Sequence, residues 1–279
     1  MRVHDKEVCS AKTFVDQPHR ATTVLGSFAC EQFCVSLSDY PAGLQQNWHS
    51  HEEPILTLLL AGYTREQVGS QDIIAGPLDV GAKPAGIRHT DHFWPRGVRA
   101  LRAVISPSLI AEVKKLSQIM ERWDWIREAD AVRPLIRTAV ALRVKQNGAE
   151  VEANMYDALS ALCPSTPTRN SDDAPSWLRH ARQHLETTYS SGVRLTQLAR
   201  EAHVHPVYFA RQFRRFFGRN IGGYVRNLQL RDASHLIAGR QYGLAEIAYQ
   251  IGFSDQAHMT RTFVSEFGIT PGQIQNLMR

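Results

Sequence analysis

Three histidines and two arginines are the residues whose spacing first suggests chemistry. His49-Ser50-His51 places two imidazoles almost side by side, and His89 follows the turn Pro84-x-Gly86. Three imidazoles are enough to hold Zn²⁺ or another divalent ion, and they serve equally as pocket lining or buried structural groups. Far along the chain, Arg211 and Arg261 recur in two similar stretches. A guanidinium can fork onto guanine O6 and N7, or it can grip a phosphate or form a surface ion pair.

The arginines belong to an internal repeat. Leu195, Leu198, Ala199 and Ala202 match Leu244, Ile247, Ala248 and Ile251. After one inserted residue, Arg211, Phe213 and Gly218 match Arg261, Phe263 and Gly268. A matched series of apolar, Arg and Gly positions implies two copies of one supersecondary unit. In the second copy, 244–251 reads as a short amphipathic helix that ends at Gly252. Phe253 can insert between the helices, and Ser254 can cap the next one, which carries Met259, Phe263 and Phe267 on its apolar stripe. In the first copy the helix runs from Leu195 to about Ala202. The turn is His203-Val204-His205, with His203 where the second copy has glycine, and Pro206 opens the next helix. Phe209, Phe213 and Phe216 form its apolar stripe, with Arg211, Arg214 and Arg215 on the polar side. Two short helices joined by a tight turn are a helix-turn-helix unit, whose second helix enters the DNA major groove. Residues 222–238 read as one connecting helix, with Tyr224, Leu228 and Leu236 buried. It would set the two reading helices about one DNA turn apart.

The run Ile247-Ala248-Tyr249-Gln250-Ile251-Gly252-Phe253-Ser254-Asp255-Gln256, followed by Arg261-x-Phe263, Phe267-Gly268 and Thr270-Pro271, closely resembles the signature of AraC/XylS-type transcription regulators. The resemblance covers about residues 175–275. It implies a pair of helix-turn-helix motifs on a connecting helix, and RNA polymerase as a partner. It also implies base-facing positions at Val207, Ala210, Arg211 and Arg214 in the first reading helix, and at Gln256, Ala257, Thr260 and Arg261 in the second. The chemistry agrees: Arg suits guanine, Gln suits adenine, and Thr or Ala can touch a thymine methyl.

Residues 1–105 carry short apolar runs, such as 55–60 and 101–105, separated by Gly and Pro, which suggests a β-barrel or sandwich. Gly43, His49, His51 and Gly62, then Pro84, Gly86 and His89, resemble the two motifs of cupin barrels. Metal-binding cupins place a Glu near the position of Ile55 and an Asn at that of Phe93, and both are missing. The resemblance therefore implies a metal-free sensor barrel. Its expected effector pocket comprises Trp48, His49, His51, Tyr63, His89, His92 and Trp94, with no cofactor and no catalytic group. From 106 to 163 the pattern turns helical. Ser106 caps a helix opened by Pro107, and apolar stripes run over Leu109–Met120 and Val132–Val140. These stripes motivate a helical homodimerisation segment. Residues 164–175, PSTPTRNSDDAP, read as a linker, and 176–279 as the DNA-binding domain.

Charge separates the same regions. From Ala174 onward there are 13 Arg, no Lys and six acidic residues, a net +7, which leaves −2 for the residues before it. A basic domain beside an acidic one points to double-stranded DNA as the partner of the former alone. The four cysteines have no paired metal spacing, and the N-terminus lacks the apolar core of a signal peptide. The expectation is a cytoplasmic α+β multidomain protein without membrane contact: a regulator, more an activator than a repressor, that responds to a small molecule. The alternative is a metal-dependent cupin enzyme fused to a DNA-binding domain.

Overall fold

The computed structural model describes residues 22–126, 130–144, 148–163, 174–191 and 195–278. They fall into two compact units, one of residues 1–163 together with 276–279 and one of residues 164–275. Most of the expected linker lies outside the described residues.

The first unit is built on eight antiparallel strands: β1 (Thr23–Ala29), β2 (Phe33–Tyr40), β3 (Gln45–His49), β4 (Ile55–Val68), β5 (Gln71–Ala75), β6 (Val80–Lys83), β7 (His89–Ile105) and β8 (Asp124–Ile126). The main path is β1-β2-β7-β4-β6-β8, with β3 also on β7 and β5 also on β4. The long strands β4 and β7 pair along most of their lengths, with register slips between Leu59 and Tyr63. Gly62 sits at that slip with φ +79°, and a Cβ there would lie 2.0 Å from the Gly97 carbonyl oxygen. Gly97, at φ +88°, approaches the Tyr40 carbonyl as closely, at 2.4 Å from a Cβ position. These two glycines let paired strands bend at a bulge without parting. Ile55–Leu60 is buried at every position, as befits a central strand covered on both faces.

The helices of this unit are α1 (Pro107–Glu112), α2 (Lys114–Ile119), α3 (Val132–Arg143) and α4 (Gly148–Leu162). Ser106 caps α1 as expected, accepting a hydrogen bond from Leu109 N at 3.2 Å. The stripe 109–120 is not one helix, because the backbone breaks at Val113, φ −111° and ψ 87°. The two apolar stripes are also consumed within one chain. Leu109, Leu116 and Met120 are buried, and so are Val132, Leu135, Ile136 and Ala139 of α3, which packs on β1, β2 and α4. The reason for assigning these stripes to a dimer interface is thereby removed: each already has its apolar partner in its own sheet and helices.

The second unit is all α: α5 (Ser176–Thr188), α6 (Leu195–Glu201), α7 (Pro206–Phe217), α8 (Ile221–Gly239), α9 (Leu244–Gln250), α10 (Gln256–Phe267) and α11 (Pro271–Leu277). Asn220 caps α8 by accepting from Gly223 N at 2.8 Å. Leu236 is only half-buried, and Leu230, Ala233 and Ile237 fill the core in its place. An aromatic cluster closes around the first copy of the repeat. Phe213 lies 4.8 Å from Phe217, 5.3 Å from Tyr224 and 6.1 Å from Phe209 between ring centroids.

Candidate DNA-reading faces and the histidine cluster

The repeat is reproduced hydrogen bond for hydrogen bond. After α6, His203 N donates to Arg200 O at 3.0 Å and Val204 N to Ala199 O at 3.0 Å. After α9, Gly252 N donates to Tyr249 O at 3.1 Å and Phe253 N to Ala248 O at 2.9 Å. Both turn residues are left-handed, His203 at φ +53° and Gly252 at φ +84°. Each second helix then ends on a left-handed glycine, Gly218 or Gly268. The caps differ. His205 accepts from Val207 N through its ring at 3.3 Å. In the second copy the cap is Asp255, not Ser254: its Oδ1 accepts from His258 N at 2.6 Å. That backbone hydrogen bond is the main reason the Asp255 carboxyl is held below its usual range, since it favours the ionised form.

In α7, Phe209, Phe213 and Phe216 point inward while Val207, Arg211 and Arg214 are exposed and Ala210 is half-exposed. Val207 is 69% exposed, which is unusual for a β-branched apolar residue on a helix and suits contact with a methyl-bearing surface. In α10, Met259, Thr262, Phe263 and Phe267 are buried while Gln256, Ala257 and Arg261 are exposed and Thr260 is half-exposed. All eight residues expected to read bases thus lie away from the core. Arg211, Arg214 and Arg261 form no ion pair among the described residues, whereas Arg226 stands 4.0 Å from Glu266.

In the sheet unit, alternation decides which expected pocket residues meet. On β7, His89, Asp91 and Phe93 face inward, which turns His92 and Trp94 outward. Trp48 is exposed beside Arg88, and Tyr63 is half-exposed beside Trp94. The interior cavity is instead lined by His51 together with Thr57, Thr64, Glu66, Lys83, Asp91 and Arg102 and several apolar groups. Of the expected pocket residues only His51 lines it: Trp48, His49, Tyr63, His89, His92 and Trp94 do not, and His92 lines a separate hollow with Arg65, Gln67, Asp72 and Thr90. The cavity measures about 30 Å³. That is room for a water or two, against the several hundred Å³ of a pocket for a drug-sized molecule.

His49, His51 and His89 do converge. Their ring centroids are 4.1–5.1 Å apart, and one nitrogen from each lies within 4.8 Å of the others. Pairing of β3 with β7 sets His49 directly opposite His89. His49 Nδ1 stands 2.7 Å from Asn47 O and His89 Nδ1 3.1 Å from Ile87 O. Both Nδ1 atoms are thereby donors to backbone, and His89 Nε2 faces the Asp91 carboxylate. Desolvation lowers the His49 pKa; that of His51 falls to about 2, through burial and then the charge of Arg102.

Asp91 was missed from the sequence, although its signal was present as His89-x-Asp91 on one strand. Its Oδ2 is 3.5 Å from His49 Nε2 and 3.4 Å from His89 Nε2. Its Oδ1 lies 3.7 Å from Lys83 Nζ, and Lys83 is paired in turn with buried Glu66. Burial alone would raise the Asp91 pKa, but Lys83 and His89 hold it well below the usual carboxylate range. Burial pushes Glu66 up against the opposing pull of Lys83. Trp125 and Trp123 donate to Glu66 Oε2 at 2.7 and 3.0 Å.

Comparison with known proteins bears on the helical unit. Residues 198–276 match the helix-turn-helix domain family. The regulatory protein PocR of Salmonella typhimurium is 22% identical over 170 residues, 59% of this chain and 52% of PocR. The virulence regulon transcriptional activator VirF of Yersinia enterocolitica is 25% identical over 169 residues, 61% of this chain and 56% of its own. The chain spans about half the length of the curated relatives it matches. Among solved structures, ToxT of Vibrio cholerae aligns over 88% of this chain and 99% of its own at 11% identity, with a TM-score of 0.36.

Proposed function

We propose that this chain, whose C-terminal domain is of the AraC type, is a sequence-specific DNA-binding transcription regulator. One observation carries the reading. Two helix-turn-helix copies of matching backbone geometry present Arg211 and Arg261 outward at the same register, on a unit with a net charge of +7 from Ala174 onward. The base-reading residues are Val207, Ala210, Arg211 and Arg214 in α7 and Gln256, Ala257, Thr260 and Arg261 in α10.

The proposal divides the chain into a sheet domain at 1–105, a helical segment at 106–163, a linker at 164–175 and the DNA-binding domain at 176–279. It includes activation of transcription through contact with RNA polymerase, and no enzymatic activity. It also includes a second copy of the chain on the operator, although the buried faces of α1–α3 are not what joins the two. No described helix is long and apolar enough to cross a membrane, and a DNA partner places the protein in the cytoplasm. The effector acts through the sheet domain. The small cavity, lined by polar and apolar groups alike, fits a compact species unless the domain opens.

Footprinting of the full chain on genomic fragments is the test. A protected site of two adjacent major-groove segments is expected, with affinity falling steeply with salt, about −0.9 in the log–log slope per phosphate neutralised. Equal affinity for operator and scrambled DNA would sink the reading.

A further inference from the structure

One lysine of the sheet unit is surrounded as a bound amine would be. Lys83, the last residue of β6, is buried, and its Nζ lies 4.9 Å from the ring centre of Trp123 and 5.3 Å from that of Trp125. It is also paired with Glu66 and stands 3.7 Å from Asp91 Oδ1. Aromatic faces together with carboxylates are the groups that hold alkylammonium ligands in proteins. Glu66 comes from β4, Asp91 from β7 and Trp125 from β8, so the cage is built across the sheet. Both indoles donate to Glu66 Oε2, which fixes the aromatic walls. Gly81 makes room for one of them: a Cβ there would lie 3.1 Å from the Trp125 ring.

We propose that this cage is the effector site and that its ligand is a compact aliphatic primary amine, for which the Lys83 side chain is a tethered stand-in. The inference rests on the reading above, in which an effector acts through the sheet domain. A buried ion pair is a poor source of stability, because desolvation offsets its attraction, so the cluster is not explained as a core element. Two buried carboxyls share the one ammonium. Burial pushes Glu66 up against the pull of Lys83, and the neighbouring Asp91 adds to the rise. A ligand ammonium exchanged for that of Lys83 leaves the charge of the cage unchanged.

The exchange also fits in space. Lys83 lies two residues before the exposed turn 85–88, where a lysine stem can reach solvent. Its departure frees the volume of a flexible stem of about four carbons. That volume adds to the adjoining cavity of about 30 Å³, which Lys83, Glu66 and Asp91 themselves line. The cavity supplies partners for the far end of the ligand. Thr57 Oγ1 and Thr64 Oγ1 are buried in its lining and have no hydrogen-bond partner among the described residues. Native interiors seldom leave hydroxyls unpaired. An amine that carries a hydroxyl would satisfy them, and a plain alkylamine would not.

The test is calorimetric titration of the full chain with ethanolammonium and n-propylammonium chloride, against n-propanol and tetramethylammonium chloride at matched ionic strength. Tryptophan fluorescence is the second readout. Saturable one-to-one binding with a change in fluorescence is expected for both primary amines, ethanolammonium the tighter, and none for n-propanol. Tetramethylammonium cannot donate to the carboxylates and should bind at least about tenfold more weakly, the loss of one charge-assisted hydrogen bond. Lys83→Ala should bind the amines more tightly, because the tethered competitor is gone. Asp91→Asn should lose them. Both variants are checked for folding by circular dichroism, and the contrast between amine and alcohol in the unsubstituted chain decides the matter where a variant does not fold. Amine binding in Lys83→Ala but not in the unsubstituted chain would make Lys83 a structural ion pair and overturn the proposal. So would equal affinity for n-propanol, or full retention in Asp91→Asn. No readout involves DNA, so failure here and failure of the footprint are separate results.

Discussion

The two helix-turn-helix copies share a backbone but divide the work of recognition differently. In the first, the exposed face of α7 is apolar at Val207 and Ala210 and cationic at Arg211 and Arg214. In the second, α10 offers an amide at Gln256, a methyl at Ala257 and a hydroxyl at Thr260, with Arg261 as its single arginine. Arg214 of the first copy corresponds to Val264 of the second. The first copy is thus weighted toward charge and the second toward hydrogen-bond readout. The turns differ in the same sense. Gly252 lies where a Cβ would come within 2.9 Å of the Ser190 carbonyl oxygen, so that turn is packed against the 3-10 turn Tyr189–Ser191. His203 is exposed and tolerates a side chain. Duplication preserved the frame, while packing constraints and surface chemistry drifted apart.

The largest expected effect tests whether the two frames are equally dependent on their cores. Phe213→Ala and Phe263→Ala should each destabilise the unit by about 3–5 kcal/mol, read by chemical denaturation. Phe213 should cost more, because it makes ring contacts with Phe209, Phe217 and Tyr224, whereas Phe263 is in ring contact with Phe267. Aromatic pairs add about 0.5–1.5 kcal/mol each beyond their area. Equal losses would mean that the aromatic cluster of the first copy contributes no more than its buried surface.

Recognition comes next in size. Arg211→Ala and Arg261→Ala should each cost about 1–3 kcal/mol on the operator and relax the preference at one base step. Arg215→Ala, on the polar side of α7 but outside the base-reading set, should weaken operator and random DNA by similar factors and flatten the salt slope by about one unit, as a phosphate contact does. Competition binding against single-base operator variants separates these outcomes. An Arg261→Ala loss that is uniform over all sequences would assign Arg261 to phosphate and leave base reading in the second copy to Gln256 and Thr260.

Much of the helical unit was legible because its signals are local. The repeat, Pro206, Gly252 and the period of the phenylalanines fix helices and turns within a few residues of themselves. The cap moved from Ser254 to Asp255, where two adjacent polar residues both satisfy the pattern, and Leu236 gave up its expected core place to Leu230, Ala233 and Ile237. The sheet unit was less legible because its site is assembled across strands. Whether His92 or Asp91 faces inward depends on the parity of β7 relative to its neighbours, and parity is set by bulges at Gly62 and Gly97 that composition does not locate. Apolar stripes at Leu116 and Ile136 were visible, but a stripe does not say whether its cover is the same chain or another. The structure covers both from within, so Leu116→Asp or Ile136→Asp would disrupt folding rather than separate two copies.

The smallest effect is the sharpest probe of the difference between the turns. A non-glycine residue in the left-handed region costs about 1–2 kcal/mol, and histidine is among the residues that tolerate it best. Replacing His203 by glycine removes that strain but frees the unfolded backbone, which costs about 0.5–1 kcal/mol. The net expectation for His203→Gly is a gain of less than about 1 kcal/mol, with DNA recognition unchanged, because His203 lies outside the exposed faces assigned to reading. The reciprocal change, Gly252→His, meets both penalties at once: a left-handed backbone at φ +84° and a Cβ pressed on the Ser190 carbonyl. It should cost at least about 1–2 kcal/mol from backbone strain alone. The two variants are to be compared by denaturation of the full chain at one protein concentration. Opposite signs are expected. A loss of similar size in both would show that His203 is held by contacts of its own, and that the first turn is as closely packed as the second.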